Sequence, residues 1–224
     1  MIRSLNNLMG YTMGATDGKI GKVKEFYLDD ETWTVRYLIV EIGSLFFKRK
    51  VLISTQALLP PDWDNKIFLV NLTIQQIENS PDIDAENPIS RQHEMELNKH
   101  YSWEDYWKKD DRNNDKYLRS TEKLKNYRVN ASNGEVGKIT DFLVDENTWE
   151  INFFVVDAFI EDPAKEVLIM PRSIKDMIWK DAIIIVDATT KKIKNSPEYN
   201  TGQIINEDYK MKLIDYYESS LVQR

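Results

Sequence analysis

Apolar residues recur along this chain in short runs, each bounded by Gly, Asp or Asn. In the first long run, Val23, Phe26 and Leu28 form the candidate buried side, with a change of phase near Glu25. Such a phase change indicates a β-bulge. The run at 33–41 is rich in β-branched and aromatic residues, which is typical of a strand. The pattern therefore predicts a mainly β fold.

Turn signals separate these runs. The Asp17-Gly18 dipeptide favours a positive φ at the glycine, and Asn133-Gly134 repeats the signal later in the chain. We therefore expect Gly18 and Gly134 at turn positions with positive φ. Gly21, at the entrance of a strand, indicates an irregularity or a close approach of another backbone.

Short helices are expected after the strands. Thr73 and Thr189 can each cap a helix that ends before the following Asn-Ser-Pro sequence. A further helix is expected to begin with Asn87 as its cap and Pro88 in its first turn. Its apolar face is narrow, formed by residues Met95, Leu97 and Tyr101.

The chain also aligns with itself, without a gap, at a displacement of 116 residues. The agreement extends over about 100 residues, far enough to predict two copies of one unit. Identical pairs include Gly18 with Gly134, Gly21 with Gly137, Phe26 with Phe142, Asp29 with Asp145, Trp33 with Trp149, and Trp63 with Trp179. We predict one copy at 1–101, a polar linker with aromatic residues at 102–118, and a second copy at 119–224.

About five or six short strands in each copy suggest a small antiparallel barrel. The fold class predicted is mainly β with short helices, arranged as two tandem small antiparallel β-barrels. Consecutive apolar residues at 153–156 and at 36–40 place apolar side chains on both faces of a strand. One face can fill a barrel, and the other needs cover. We expect the two barrels to pack on one another or on a second chain through these strands, with the helices and the linker completing the seal.

Composition excludes several classes of function. The chain has no cysteine, so disulfides, thiolate metal sites and thiol nucleophiles are excluded. The net charge is −7, and the basic clusters at 48–50 and 191–194 are too local for a phosphate-binding face, so no nucleic-acid partner is expected. Neither a signal peptide nor an integral membrane segment is evident. These features predict a cytoplasmic protein.

Several of these segments together resemble a known family. DGKIGKV, EFYLDDETW and VRYLIVE, followed by KVLIS and NSPDID, resemble the PRC-barrel domain. That domain is named for the cytoplasmic part of the reaction-centre H subunit and also forms the C-terminal domain of the ribosome maturation factor. SRQHE at 90–94 and LRS at 118–120 make the layout similar to bacterial tandem PRC-barrel proteins. The resemblance implies a small β-barrel module whose known uses are mostly protein contacts. Because the membrane helix of the first protein and the extra barrel of the second are missing, neither specific function is expected.

Two groups of residues are candidates for metal binding. His93 and His100 lie seven residues apart on one predicted helix, whereas a metal pair is usually four apart with a third ligand nearby. The acidic sets at 29–31 and 145–147 offer oxygen donors, but they lack the calcium-loop spacing, and Asp and Asn are common in tight turns. We interpret the histidines as surface residues and the acidic sets as turns.

No catalytic pattern is present. The glycine-rich stretches lack the phosphate-loop spacing, no nucleophile elbow occurs, and hydrolysis by paired carboxylates has no specific support. We therefore predict no catalytic, cofactor-binding or metal-binding residues and no cofactor. The least ordinary feature is the aromatic set Tyr101, Trp103, Tyr106 and Trp107, which either docks the linker on a barrel or forms an exposed contact patch.

The sequence thus favours a non-enzymatic protein-interaction or scaffold module, with a protein partner and a homo-oligomeric state. Duplication suits a protein that bridges two partners or forms a pseudo-symmetric pair. The alternative is a regulator that binds a small molecule or a metal ion in a cleft between the barrels.

Overall fold

A computed structural model describes residues 1–43, 47–81, 83, 89–107, 117–159 and 165–218. The fold is mainly β, with 45% of residues in strands and only short helices. The strands are β1 (Ile2–Ser4), β2 (Thr12–Ala15), β3 (Gly18–Asp29), β4 (Thr34–Gly43), β5 (Lys48–Ser54), β6 (Ile67–Leu69), β7 (Ile89–Ser90), β8 (Tyr117–Ser120), β9 (Arg128–Ala131), β10 (Gly134–Asp145), β11 (Ile151–Ala158), β12 (Lys165–Ile169), β13 (Ile174–Ile178) and β14 (Ile183–Val186). The helices are α1 (Leu5–Leu8), α2 (Ile74–Glu78), α3 (Arg91–Tyr101), α4 (Thr121–Leu124), α5 (Thr190–Lys194) and α6 (Glu207–Glu218).

The chain forms two compact units. The first unit is Leu8–Thr121, and the second unit combines Met1–Asn7 with Glu122–Arg224. The second unit is therefore built from two separate stretches of chain. The predicted copies at 1–101 and 119–224, with their linker, are defined by sequence alone and stay a prediction.

The first unit contains a sheet in the order β5-β4-β3-β2-β6, with β8 against β3 and β7 against β8. Strands β3, β4 and β5 follow closely in sequence and are antiparallel neighbours, whereas β2 and β6 run parallel. The core residues come from these strands and are almost fully buried: Met13, Val23, Phe26, Leu38, Val40, Val51, Ile53 and Phe68.

The second unit contains a sheet in the order β12-β11-β10-β9-β14-β13, with β1 against β10. Apart from β13, this order repeats that of the first unit, strand for strand. The antiparallel pairs are again made by consecutive strands, and β9 and β14 are again parallel. The two units therefore share one strand topology.

The predicted closure into barrels is not found, since neither sheet closes among the described residues. In the first unit, β6 is only three residues long, and its outer side is met by the isolated bridges Leu58↔Val70 and Asp62↔Ile67. A strand this short cannot extend the sheet far enough to pair with its opposite edge strand, β5. In the second unit, the described residues place a single isolated bridge, Val167↔Glu198, on the outer side of β12.

The predicted turn chemistry is confirmed. Gly18 and Gly134 have φ of +155° and +156°, and each directly follows the two-residue turn that opens a long strand. The predicted bulge is present, because the register of β3 against β4 shifts between Val23 and Glu25. At Gly21, a Cβ would lie 2.4 Å from the carbonyl oxygen of Glu41, so the close backbone approach is also confirmed.

Two predicted caps are confirmed. Thr73 caps α2, accepting a hydrogen bond from the backbone N–H of Gln76, and Thr189 caps α5 in the same way. The predicted start of the third helix is wrong. Helix α3 begins at Arg91 with Ser90 as its cap, because Ile89 and Ser90 are extended in β7 and paired with β8. The proposed cap and first-turn proline, Asn87 and Pro88, lie outside the described residues.

Both faces of β11 are buried, as its sequence predicted. Phe153, Phe154, Val155 and Val156 are each at most 1% exposed. Phe153 and Val155 belong to an apolar cluster that also contains Leu213 and Tyr217 of α6, together with Leu143, Leu168, Met170, Tyr199 and Ile205. In the second unit, therefore, a helix covers one face of the sheet. Packing of the barrels on one another or on a second chain stays a prediction.

Candidate interaction surface around helix α3

Helix α3 has one buried side and one exposed side. Its cap, Ser90, accepts a hydrogen bond from the backbone N–H of His93 at 3.3 Å. At the other end, Ser102 has φ +59°, a left-handed conformation that stops the helix and turns the chain. The buried residues are Arg91, Glu94, Leu97, Asn98 and Tyr101. Three of these five are polar or charged, so this helix does not cover its sheet by apolar contact alone.

A buried ion pair lies at the start of the helix. Nη1 of Arg91 lies 3.0 Å from Oε1 of Glu94, and the two residues are 6% and 1% exposed. Tyr106, in the segment after the helix, donates its hydroxyl to Oε2 of Glu94 at 2.8 Å and accepts from Arg91 at 3.0 Å. The three side chains thus form a closed triangle of hydrogen bonds, which is what buried charges require.

The triangle connects to the sheet through Tyr37 of β4. The Tyr37 hydroxyl is directed at Oδ1 of Asn98 at 3.5 Å, and the Asn98 amide donates to Asp105 at 3.0 Å. These contacts join the strand, the helix and the segment that follows it. A chain of hydrogen bonds in a buried setting fixes the position of all three elements.

Burial governs the ionisation of this cluster. Loss of hydration raises the pKa of Glu94 to about 7, although Arg91, Tyr106 and Tyr37 all stabilise its carboxylate. Burial, followed by the neighbouring Glu94, raises the pKa of Tyr37 well above its ordinary value. The pKa of Tyr106 is raised for the same two reasons.

The aromatic set is folded onto the first unit as far as it is described. Tyr101 is buried, and the ring of Trp103 stacks on it with centroids 4.2 Å apart. The guanidinium of Arg36 lies 4.0 Å from the ring centroid of Tyr106, and that of Arg91 lies 4.0 Å from the ring of Trp107. Cation–π contacts of this kind hold the segment against β4 and α3. Residues 108–116 of the predicted linker lie outside the described part of the chain.

A groove of about 450 Å³ lies at the C-terminal end of α3. Met95 is 38% exposed there, and Trp103 is half-buried. The full lining is Met95, Asn98, Lys99, Ser102, Trp103 and Asp105. The groove therefore combines the apolar surfaces of Met95 and Trp103 with a cation, Lys99, and a carboxylate, Asp105, which accepts a hydrogen bond from Asn98.

The two histidines lie near this surface but are not brought together with other ligands. Nε2 of His100 lies 3.0 Å from the carbonyl oxygen of Gln76, and its ring packs edge-on against Tyr101. Nε2 of His93 is buried without a hydrogen-bond partner among the described residues. Within the same residues, no group of three or more His, Cys, Asp or Glu side chains could hold a metal ion.

The acidic sets form turns. Oδ1 of Asp29 accepts from the backbone N–H groups of Glu31 and Thr32, and Oδ1 of Asp145 accepts from those of Asn147 and Thr148. The tryptophans that follow, Trp33 and Trp149, have φ of 51° and 60°. These carboxylates are thus used to tighten the turns, as Asp commonly does.

The basic cluster at 48–50 is partly used within the fold. Lys48 pairs with Glu41 at 3.0 Å, and Arg49 donates to the carbonyl oxygens of Glu78 and Ser80 at the end of α2. Lys165 donates to the carbonyl oxygens of Lys194 and Ser196 at the end of α5. Cations at a helix C-terminus satisfy carbonyls that the helix itself leaves unpaired.

Sequence reasoning missed the buried ion pair. Arg91 and Glu94 were part of the predicted helix, but their spacing of three residues is common on exposed helix surfaces. Tyr37 gave a weak signal, since it is the hydroxyl-bearing residue of the otherwise apolar run at 37–40. Only the position of Tyr106, beyond the end of the helix, encloses the pair and separates it from water.

No described helix is both long and apolar enough to cross a membrane. A search among curated proteins finds no match to the chain. The family model of the PRC-barrel domain matches residues 5–74. The match spans strands β2 to β6 and stops at the first residue of α2, so α3 and the aromatic segment lie outside it. The second copy and the resemblance to particular PRC-barrel proteins stay predictions. On this evidence the chain contains a PRC-barrel domain at residues 5–74.

Proposed function

We propose that this protein is a non-enzymatic protein-interaction module, and that a partner protein contacts it at the groove of α3. The observation that carries the proposal is an exposed groove in which Met95 and Trp103 offer apolar contacts among polar residues, on a base joined by the Asn98–Asp105 hydrogen bond. The PRC-barrel domain at residues 5–74 supports it, because domains of this family act as protein-interaction modules.

The groove has the features of an anchoring pocket. Its volume of about 450 Å³ suits one or two large side chains of a partner and not a whole domain. Met95 offers a flexible apolar contact, and the Trp103 ring offers a flat one. Lys99 and Asp105 provide a polar rim that can set the orientation of the bound segment. A partner with an apolar anchor residue flanked by polar groups fits this arrangement.

The buried cluster supports a structural role in preference to catalysis. Glu94 has the shifted pKa that often marks an active site, but it is 1% exposed and already bonded to Arg91 and Tyr106. A substrate could reach it only after Tyr106 had moved. We therefore assign this cluster to holding α3 and its following segment in place. The metal-binding or small-molecule alternative has no specific observation in its favour.

The test is site-specific photocrosslinking in the native cell. A photoreactive amino acid replaces Met95 in one variant and Met211 in the control, because Met211 is an exposed methionine at the equivalent position of α6. We expect a protein adduct at position 95 that is absent at position 211. The adduct is identified by mass spectrometry, and that protein is then purified.

Binding of the purified partner decides the proposal. Trp103→Ala and Met95→Asp should each weaken the affinity at least about tenfold, as loss of a central anchor contact does. Met211→Asp should leave the affinity unchanged. Equal binding by all three variants, or equal loss in all three, would refute the α3 surface as the contact site.

A further inference from the structure

Each unit is completed by a strand from a distant part of the sequence. Strand β1 pairs with β10 in the second unit, although the residues that follow it, from Leu8 onward, belong to the first unit. Strand β8 pairs with β3 in the first unit, although the residues that follow it, from Glu122 onward, belong to the second. The chain passes from one unit to the other after β1 and again after β8. Each time, the short strand before the passage pairs within the unit that the chain is leaving.

Strand β1 pairs with β10 in the same register as β8 pairs with β3. Ser4 pairs with Leu143 and Arg3 with Val144 in the second unit. In the first unit, 116 residues apart at every position, the pairs are Ser120↔Tyr27 and Arg119↔Leu28. The sequences of the two strands also agree, since each has an aliphatic residue followed by Arg and Ser. The exchange is therefore reciprocal.

The arginines make equivalent ion pairs. Nε of Arg3 lies 2.5 Å from Oε2 of Glu146, and Nε of Arg119 lies 2.7 Å from Oδ2 of Asp30. Each carboxylate lies in the turn just after the long strand that receives the exchanged one. All four side chains are at most 27% exposed, so these pairs are partly shielded from water.

The serines of the two short strands also make equivalent hydrogen bonds to carboxylates. The Ser4 hydroxyl donates to Oδ2 of Asp141 at 2.5 Å, and Asp141 also accepts from the backbone N–H of Asn6. The Ser120 hydroxyl donates to Glu25 in the first unit. In each unit, two carboxylates therefore contact the short strand: one accepts a hydrogen bond from its serine, and the other pairs with its arginine.

The receiving edge would otherwise be unpaired. Strand β9 covers only the first part of β10, up to Lys138, and β1 covers residues 143–145 further along the same edge. An open edge of this kind accepts a strand through backbone hydrogen bonds, whichever chain supplies it. The Arg and Ser contacts add a sequence preference to that general affinity.

We propose that the edge of β10, with Asp141 and Glu146, is an acceptor site for an aliphatic-Arg-Ser strand, and that the Ile2–Ser4 segment of a second copy of this chain can occupy it. The recognition is local, because the contacts come from Met1, β1 and Asn6 and are made to the edge of β10 and to three carboxylates, Asp141, Asp145 and Glu146. A segment from another copy offers the same contacts. This site is separate from the α3 groove and does not depend on the function proposed for it.

A complementation experiment with full-length chains tests the proposal. Arg3→Glu places two carboxylates together and empties the acceptor site of that copy. Glu146→Arg places two cations together, frees the Arg3 segment of that copy and leaves its own acceptor site unable to bind an Arg3 segment. Each variant alone should be monomeric. Mixed in equal amounts, they should form a heterodimer of about twice the 26.4 kDa chain mass, detected by light scattering.

Two further variants serve as controls for the mixing experiment. Arg3→Glu with Glu146→Arg in one chain should restore the pairing within that chain, giving a monomer with a higher melting temperature than either single variant. Arg172→Glu, at the third Arg-Ser sequence of the chain, should not form a heterodimer with Glu146→Arg. Circular dichroism confirms that each variant is folded. A mixture of folded variants that stays monomeric would overturn the proposal, as would equal dimer formation with Arg172→Glu.

Discussion

Helices α3 and α6 lie 116 residues apart in the sequence and cover equivalent sheets, but they do so with different chemistry. Under α3, Arg91, Glu94 and Tyr37 form a buried hydrogen-bonded network with Tyr106. Under α6, the cluster is apolar and joins Phe153 and Val155 of β11 to Leu213 and Tyr217 of the helix. One backbone arrangement thus accepts either an ionic or an apolar interface.

The residues at equivalent positions explain the difference. Phe153 stands in place of Tyr37 and Ile214 in place of Asn98, so the hydroxyl and the amide are lost together. Lys210 stands in place of Glu94, and its side chain is only partly buried. An apolar interface gains stability from burial alone. An ionic one loses hydration energy and regains it only if every partner is in place, which also makes its geometry more specific.

The largest expected effect comes from breaking the ion pair. Arg91→Ala leaves the buried Glu94 without its cation and should destabilise the first unit by about 3–5 kcal/mol. The matched control is Glu207→Ala, at the equivalent but exposed position of α6, which should cost less than about 0.5 kcal/mol. Urea denaturation with hydrogen exchange at β4 and β11 measures both. Similar losses in the two variants would contradict the comparison.

The pH dependence of the stability of the first unit should report the ionisation of Glu94 in the same ion pair. The pKa of Glu94 is raised from 4.5 to about 7 on folding, so the folded state binds the proton more tightly than the unfolded state does. The contribution of Glu94 to the free energy of unfolding should therefore be largest below pH 4.5 and fall by about 3 kcal/mol as the pH rises to 7 and above. The groups that face Glu94 are the charged side chains of Arg91 and Asp29 and the neutral phenols of Tyr106 and Tyr37.

Glu94→Gln is the control for this titration, because glutamine keeps the shape of the side chain without ionising. The fall between pH 4.5 and 7 should be absent in this variant when denaturation is followed at β4. An unchanged pH profile would show that Glu94 does not titrate in this range.

Converting the ionic interface to an apolar one should have a smaller and opposite effect. The triple variant Arg91→Met, Glu94→Leu, Tyr106→Phe removes all members of the hydrogen-bonded triangle at once. Since no charge is left unpaired, the stability of the first unit should stay unchanged or increase by about 2 kcal/mol. Chemical denaturation of the triple variant, compared with Arg91→Ala, checks this. A loss as large as that of the single variant would contradict it.

The smallest effects concern the turn glycines, where the two units should differ slightly. Gly18→Val and Gly134→Val should each cost about 1–2 kcal/mol, because a β-branched residue is strained at positive φ. A Cβ at Gly18 would lie 3.2 Å from Ile74, whereas one at Gly134 would lie 3.5 Å from Thr190. Gly18→Val should therefore have the lower melting temperature. The reverse order would show that local packing does not decide the cost.

The sequence by itself determined the local features. The strands of 22–28 and 33–41, the bulge near Glu25, the positive φ of Gly18 and the cap at Thr73 each depend on residues close in sequence. Such features follow from side-chain period, backbone sterics and nearby hydrogen bonds. Repetition in the sequence also led to the expectation of two similar units, and their strand orders agree.

Only the tertiary structure decided which distant groups meet. The sheets stay open instead of closing as barrels, helix α3 begins at Arg91 because β8 holds the preceding residues extended, and Tyr106 seals a buried ion pair. Strand β1 pairs across more than 130 residues of chain, through an edge that presents backbone groups and the carboxylates of Asp141 and Glu146. An open sheet edge can pair with many segments, so its occupant is selected by the assembled surface and not by the residues adjacent to it in sequence.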